Sequence, residues 1–316
     1  MENIKKKPLI IITGPTAVGK TDLSIRLAKD INGEIISADS IQIYKYMDIG
    51  SAKVMPEEMN GVVHHLIDDL YPDEEFNVYT FKKMANKAMD GIYARGSVPV
   101  IAGGTGFYIQ SVLYDINFDE EQGDKEYRHY LEGLAIEKGN EFIHNMLKVV
   151  DEESAKAIHY NNTKRVIRAL EYYNETGKKF SQNNEEQRQN ESPYEFKYFV
   201  LNMDRDKLYE RINMRVDLMV KAGLVEEVEG LLKMGYHKDL NSMQGIGYKE
   251  IVSYLNGEVS LDEAIEILKQ NTRHFAKRQL TWFRREKCVT WVDYDKFNYD
   301  KEKVYEYILE ETKKCL

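Results

Sequence analysis

A chain of 316 residues can bury a large core and holds one large or two modest domains. Its formal charge of −9 excludes a uniformly basic nucleic-acid binder, so any such surface has to be local. Two cysteines, Cys288 and Cys315, make no disulfide framework and point to a reducing cytoplasm; no stretch approaches a membrane span, and the N-terminal apolar run is too short for a signal peptide.

Leu9 to Thr13 is an apolar, β-branched run that predicts a buried parallel strand. Gly14 to Thr21 then fits G-x-x-x-x-G-K-[ST], in which the glycines let backbone N–H groups wrap an anion. Lys20 adds a point charge, Thr21 offers a hydroxyl to Mg²⁺, and the following helix presents its positive N-terminus. A bound diphosphate or triphosphate is the expectation. Gly33 to Ser40 reads as a second strand that delivers Asp39 and Ser40 at its C-terminal end, where ligands of open α/β sheets sit. Asp39 there is a helix cap, a metal ligand or a general base. Gln42 and Tyr44 follow at a spacing that could line the same crevice. His64 and His65 are adjacent, so on a strand they face opposite ways, and zinc-spaced partners are missing; polar lining or structural roles are expected. Phe81, Met84, Ala85, Ala88, Met89 and Ile92 give a helix with one apolar face.

Val98 to Ala102 is a third strand, running into Gly103-Gly104-Thr105-Gly106. An ATPase of the P-loop kind usually ends such a strand with an acid for Mg²⁺. Glycines and a threonine stand here instead, which suits close approach of a bulky substrate to the backbone. From Asp115 the texture changes: an acidic run, Asp119 to Asp124, precedes helical patterns over 127–138, 142–149, 152–158 and 163–176. Asn183 to Ser192 is polar enough for a mobile loop. The expected fold is therefore α/β, a P-loop NTPase-like parallel sheet flanked by helices (1–114 with 196–316), carrying an inserted all-helical domain over 115–195.

Strand character returns at Phe196 to Leu201, followed by a helix with an apolar stripe of Leu208, Ile212, Val216 and Met219. Arg211 and Arg215 lie one turn apart beside it, either as a solvated face or as guanidiniums reaching for phosphates. Gln244 to Glu250 is a glycine-flexed turn with Tyr248 and Lys249, and Ser260 with Glu263 forms a capping box. Between Arg273 and Lys287 stand six Lys/Arg and one acid, Glu286, interleaved with Phe275, Trp282 and Phe283. Against an acidic background this concentration predicts RNA contact, with Leu280 and Phe283 as its core stripe. Val289 to Asp293 reads as a final edge strand before an amphipathic tail helix.

In this order, GPTAVGKT (14–21), ISADSIQIY (36–44), DIGSAK (48–53), HHLID (64–68), PVIAGGTGFYIQ (99–110), RVIRALEYYNETGK (165–178), RINMRVDLMVKAGLVEEV (211–228), GIGYKE (245–250) and TRHFAKRQLTWFR (272–284) closely resemble the tRNA dimethylallyltransferases, over nearly the whole chain. The P-loop alone is unspecific; the ordered set is highly specific. The resemblance implies transfer of a dimethylallyl group from dimethylallyl diphosphate to N6 of adenosine 37 in tRNAs that read codons beginning with U, with Mg²⁺. It implies that Gly14, Thr16, Ala17, Val18, Gly19, Lys20 and Thr21, with Arg211 and Arg215, hold the donor diphosphate, and that Thr21 meets the metal. Asp39 would be the general base, and Thr105 a hydroxyl near nucleophile and leaving group, with Thr21 and Arg215 completing the catalytic set. The anticodon stem-loop would meet Asp39, Ser40, Ile41, Gln42 and Thr105, Arg128, Arg165 and Arg168 of the insertion, Tyr248, Lys249, Arg273, Lys277, Arg278 and Gln279. No membrane or protein partner is implied, and a monomer is expected. Two departures stand out: His159-Tyr160-Asn161-Asn162 replaces the family's His-Pro-x-Asp, and no proline follows Lys53. Rival readings are a small-molecule kinase, an enzyme prenylating free AMP or ADP, and an RNA-binding module with a vestigial P-loop.

Overall fold

The computed structural model describes residues 6–118 and 125–316, so residues 1–5 and the acidic run 119–124 lie outside the described residues. The chain divides into two compact units, Met1–Leu113 with Pro193–Leu316, and Tyr114–Ser192. Among the described residues no helix is long and apolar enough to cross a membrane.

The first unit is built on a six-stranded parallel sheet. In chain order its elements are β1 (Lys7–Thr13), α1 (Lys20–Asp30), β2 (Gly33–Ala38), β3 (His64–His65), α2 (Val78–Ala94), β4 (Val98–Gly103) and α3 (Gly106–Leu113). The spatial order is β3-β2-β4-β1, and on the other side of β1 stand two later strands, β5 (Tyr194–Asn202) and then β6 (Thr290–Asp293). The Leu9–Ile12 run is completely buried, as a strand covered on both faces must be. The strand predicted at the chain's end is the sheet edge.

Register matters most at the C-terminal rim. Gly103 of β4 pairs with Thr13 of β1 on one side and Ala38 of β2 on the other. The Thr13 hydroxyl donates to the Gly103 carbonyl at 2.7 Å. A Cβ on Gly103 would overlap the Ala38 carbonyl, so only glycine lets the two strands close here. Gly103→Ala is expected to destabilise the protein by about 3 kcal/mol, the upper end of overpacking costs, as read from urea unfolding; a change below about 1 kcal/mol would mean the strands part freely.

Both adjacent histidines are tied into the scaffold. His65 Nε2 meets the buried Glu34 carboxylate at 2.7 Å, and Arg95 clasps the same carboxylate through two nitrogens at 2.8 and 2.7 Å. These donors hold Glu34 below its usual range, the Arg95 hydrogen bonds contributing most and His65 adding to them against the cost of burial. His64 Nδ1 meets the Val62 carbonyl, and burial lowers its ring below the usual histidine value.

The second unit is helical: α4 (Lys125–Lys138), α5 (Asn140–Val150), α6 (Glu152–Ala157), α7 (Thr163–Thr176) and α8 (Phe180–Arg188). Leu131, Ile143, Leu147, Val166 and Ala169 are its fully buried centre. The α8 helix corrects the expectation of a mobile loop over 183–188, while residues 189–192 lie outside any helix or strand. Its polar sequence buries little, but Asp151 accepts from the Ser181 backbone and hydroxyl at 2.8 and 2.7 Å. Gln187 bonds the Asn117 carbonyl and Asn183, and Phe180 packs on the core. Hydrogen bonding substitutes for the missing apolar face.

Back in the first unit, α9 (Arg205–Lys221), α10 (Leu224–Lys233), α11 (Tyr248–Leu255), α12 (Leu261–Phe283) and α13 (Lys301–Lys313) complete the chain. The predicted capping box starts α12, with Ser260 accepting from the Glu263 N–H and Glu263 from the Ser260 N–H.

Candidate functional site

The loop between β1 and α1 turns through three left-handed residues: Gly14 at φ 145°, Ala17 at 64° and Gly19 at 104°. At Gly14 a Cβ would stand 2.5 Å from the Leu201 carbonyl of β5, so the turn needs glycine on steric grounds as well. Ala17 is a strained choice for that conformation. It is held by Arg211 of α9, whose Nε donates to the Ala17 carbonyl at 2.8 Å. Lys20 folds back over the loop, its ammonium donating to the Gly14 and Pro15 carbonyls at 3.0 and 2.9 Å.

Charge then accumulates from two directions. Burial pulls the Lys20 ammonium down to about 7; the Arg215 guanidinium pushes the same way and Asp39 opposes. Arg215 is itself held below its usual value, by burial first and Arg211 next, again opposed by Asp39. Lys20, Arg211 and Arg215 thus converge at the loop, with one carboxylate in their field. Such a set of cations beside N–H groups at a helix start is an anion receptor.

Asp39 follows β2 directly. One of its oxygens, Oδ1, accepts from the Ile41 and Gln42 N–H groups at 2.9 and 3.3 Å, so it caps a turn and no helix starts there. Thr105 is brought alongside by the backbone, its N–H donating to the Ala38 carbonyl at 3.1 Å. Its carbonyl then accepts from Tyr108 and Ile109, starting α3. Asp39 and Thr105 are therefore neighbours because β2 and β4 end level.

Two further groups fix this corner, and the sequence did not single out either. Glu227 of α10 accepts from three consecutive N–H groups, Asp48, Ile49 and Gly50, at 2.9, 2.7 and 3.0 Å, and from the Tyr248 hydroxyl. Lys53 is buried between Asp48, Asp68 and the Tyr44 carbonyl at 2.6, 2.5 and 2.7 Å. The loop they hold presents the Ser51 and Ala52 carbonyls to Gln42 Nε2, and Gln42 Oε1 accepts from the Ser37 hydroxyl. Nothing local in GLVEEV (223–228) signals a partner so distant; DIGSAK carried the only hint, a lysine five residues after an acid.

Several of the residues expected to meet RNA also carry bonds inside the fold. Tyr248 is fully buried against Gly50 and Glu227, a support for the loop. Gln279 is buried between the P-loop and Gly104. The amide of Gln42 is committed to the turn just described. Arg128 of the second unit clasps the buried Glu171 at 2.7 and 3.1 Å while its own side chain stays 45% exposed. Arg273 is steered by Asn213 of α9 at 2.7 Å. Phe283 is core, and Trp282 lies against Gly106 and Phe107.

What remains outward on α12 and the turn after it is a shallow groove lined by His274, Lys277, Arg278, Thr281, Trp282 and Arg285. Lys277 and Arg278 are exposed, the latter over the Phe275 ring. Ser40 and Arg165 are also exposed, while Ile41, Arg168 and Lys249 are half-buried. Thr21 opens its side to solvent at the start of α1.

The chain matches two family models, IPP transferase over residues 42–286 and isopentenyl transferase over residues 7–71. It is 60% identical over 294 residues to a tRNA dimethylallyltransferase of Lachnoclostridium phytofermentans, covering 93% of this chain and 94% of that one. The same enzyme of Acetivibrio thermocellus is 55% identical over the same shares. Among solved structures, the tRNA isopentenylpyrophosphate transferase of Bacillus halodurans superposes with a TM-score of 0.70 at 45% identity, covering 98% of this chain and 99% of its own. A eukaryotic dimethylallyltransferase acting on tRNA gives a TM-score of 0.82 at 30% identity, covering 96% of this chain and 78% of its own. A phosphate-type loop without the usual acid on β4, an aspartate and a threonine on adjoining strand ends, and identity sustained along nearly all of the sequence lead to one assignment: the chain belongs to the IPP transferase family.

Proposed function

We propose that the protein transfers a dimethylallyl group from dimethylallyl diphosphate to N6 of adenosine 37 in tRNAs reading codons that begin with U. The observation that carries this is the pairing of Asp39 and Thr105 on level strand ends, facing a loop where Lys20, Arg211 and Arg215 gather. N6 attacks the allylic carbon, the bond from that carbon to the diphosphate oxygen breaks, and the N6 proton passes to Asp39. An exocyclic amine is a weak nucleophile, so a carboxylate that relieves its developing charge lowers the barrier. Asp39 has its Oδ1 on the turn, and Oδ2 is the oxygen assigned to that proton. The P-loop N–H groups and the three cations take the charge that builds on the departing diphosphate. Thr105 would orient one or both partners.

Mg²⁺ fits this arrangement, since it is usually held by one or two protein ligands together with phosphate oxygens and waters. Thr21, exposed at the start of α1, is the residue that would hold it. When bound, the ion would neutralise part of the diphosphate charge. A stacked adenine is out of reach, so the base must leave the anticodon loop to meet Asp39. Lys277 and Arg278 of α12, with Ser40 and Lys249, would hold the loop's backbone, and Arg165 and Arg168 are the second unit's own candidates for RNA contact. The unpaired cysteines suit a reducing cytoplasm.

Incubation of the protein with bulk tRNA, Mg²⁺ and dimethylallyl diphosphate tests the reading directly: digested nucleosides should contain N6-dimethylallyladenosine, and their absence overturns it. Replacing Lys277 and Arg278 together by Ala should weaken anticodon stem-loop binding roughly tenfold at 0.1 M salt and reduce the slope of log K against log salt by about 1–2. An unchanged slope would make them ordinary surface charge.

A further inference from the structure

Gln279 stands on α12, one residue from the exposed Arg278, yet its side chain points inward and is 6% exposed. Its Oε1 accepts from the Thr16 N–H at 2.9 Å and its Nε2 donates to the Gly104 carbonyl at 3.0 Å. One partner is purely a donor and the other purely an acceptor, so a single orientation of the amide satisfies both. Thr16 belongs to the P-loop; Gly104 immediately precedes Thr105. A single side chain from the far end of the chain therefore spans the gap between the phosphate loop and the turn that carries the reacting-site hydroxyl.

The fit is tight from the other side too. A Cβ on Gly104 would overlap Gln279 Nε2, although this glycine needs no left-handed backbone. Its missing side chain is explained by the approach of the amide.

We propose that Gln279 is a positioning residue of the transfer reaction, setting the separation of the diphosphate loop from the Thr105 turn, and that it makes no RNA contact despite its place on the basic helix. The role rests on the prenyl-transfer reading above. Stabilising a leaving diphosphate needs donors already aligned, and a strut across the site supplies that alignment.

The test uses Gln279→Met, which keeps the length and loses both hydrogen bonds, and Gly104→Ala, which displaces the amide without touching it chemically. Each should weaken calorimetric binding of inorganic pyrophosphate roughly tenfold, raise KM for dimethylallyl diphosphate similarly and lower kcat. Affinity for an anticodon stem-loop should stay within about twofold, the experimental scatter of such comparisons. The double variant should be no worse than the worse single one, because both break the same strut. Weakened stem-loop binding with pyrophosphate affinity intact would make Gln279 an RNA contact and overturn the proposal. Loss of cooperative melting in both variants would make it a folding contact and overturn the proposal equally. Pyrophosphate affinity reads the strut without any turnover. A protein that forms no prenylated nucleoside but shows the pyrophosphate loss would thus sink the functional reading and leave the strut standing.

Discussion

Asp39→Asn is expected to lower single-turnover prenylation by roughly 10² to 10⁴, the usual worth of a positioned general base, while anticodon stem-loop affinity and melting temperature stay close to those of the native protein. Asparagine is the informative replacement because of what Oδ1 does. That oxygen accepts from the Ile41 and Gln42 N–H groups, and an amide oxygen can do the same. The substitution then removes only the proton acceptor. Asp39→Ala would also release the turn, through it Gln42, and so the carbonyls of Ser51 and Ala52. A larger loss in Asp39→Ala than in Asp39→Asn, with RNA binding falling only in the former, separates chemistry from scaffolding. Turnover within tenfold of native in Asp39→Asn would remove the aspartate from its role as base.

The same turn shows where sequence stops being legible. The placement of the P-loop, Asp39 and the Gly103-Gly104-Thr105 turn could be read because each is local: a buried β-branched strand followed within a few residues by the turn it delivers. The glycine pair reads in the sequence as room for a bulky substrate, whereas Gly103 lies between Thr13 and Ala38 and Gly104 admits the Gln279 amide, because register and packing partners come from pairing. Glu227 and Gln279 were illegible for one reason. Each acts on a backbone segment about 180 to 260 residues away in sequence, and a helix reveals which face a residue occupies without revealing what that face meets. The helix over 183–188 is the converse case. Composition marked the segment as unable to bury apolar surface, which is true of α8, but Asp151 and Asn117 supply partners that composition does not register. Tyr248 is drawn inward by Glu227, whereas Arg128 stays exposed while it clasps Glu171, and neither pairing shows in the local sequence.

Lys20→Met is expected to weaken pyrophosphate binding roughly 10- to 100-fold and, at the same time, to raise the stability of the ligand-free protein at low pH. Both follow from one fact, that burial and Arg215 bring the Lys20 ammonium from 10.5 down to about 7. Below pH 7 the lysine is charged in the folded and the unfolded chain, and folding bears the whole cost of burying the charge. Between about 7 and 10.5 the unfolded chain holds a proton that the folded one lacks, so this group's contribution to stability improves as pH rises, by at most about 1.4 kcal/mol per pH unit. Methionine abolishes that dependence and forfeits two hydrogen bonds to the Gly14 and Pro15 carbonyls, worth about 1 kcal/mol each. The variant's advantage in melting temperature should therefore be greatest near pH 6 and shrink toward pH 9.5; parallel curves would mean that Lys20 titrates normally. Pyrophosphate binding provides a second reading of the same proton. At pH 8.5 the native lysine is mostly neutral, and an anion placed against it draws a proton in; at pH 6 it is already charged. Calorimetry in buffers of different ionisation enthalpy should show the native protein taking up close to one proton more than Lys20→Met at pH 8.5 and about none more at pH 6. Equal uptake in the two proteins at pH 8.5 would place the diphosphate away from Lys20, and with it away from the loop on which the transfer chemistry depends.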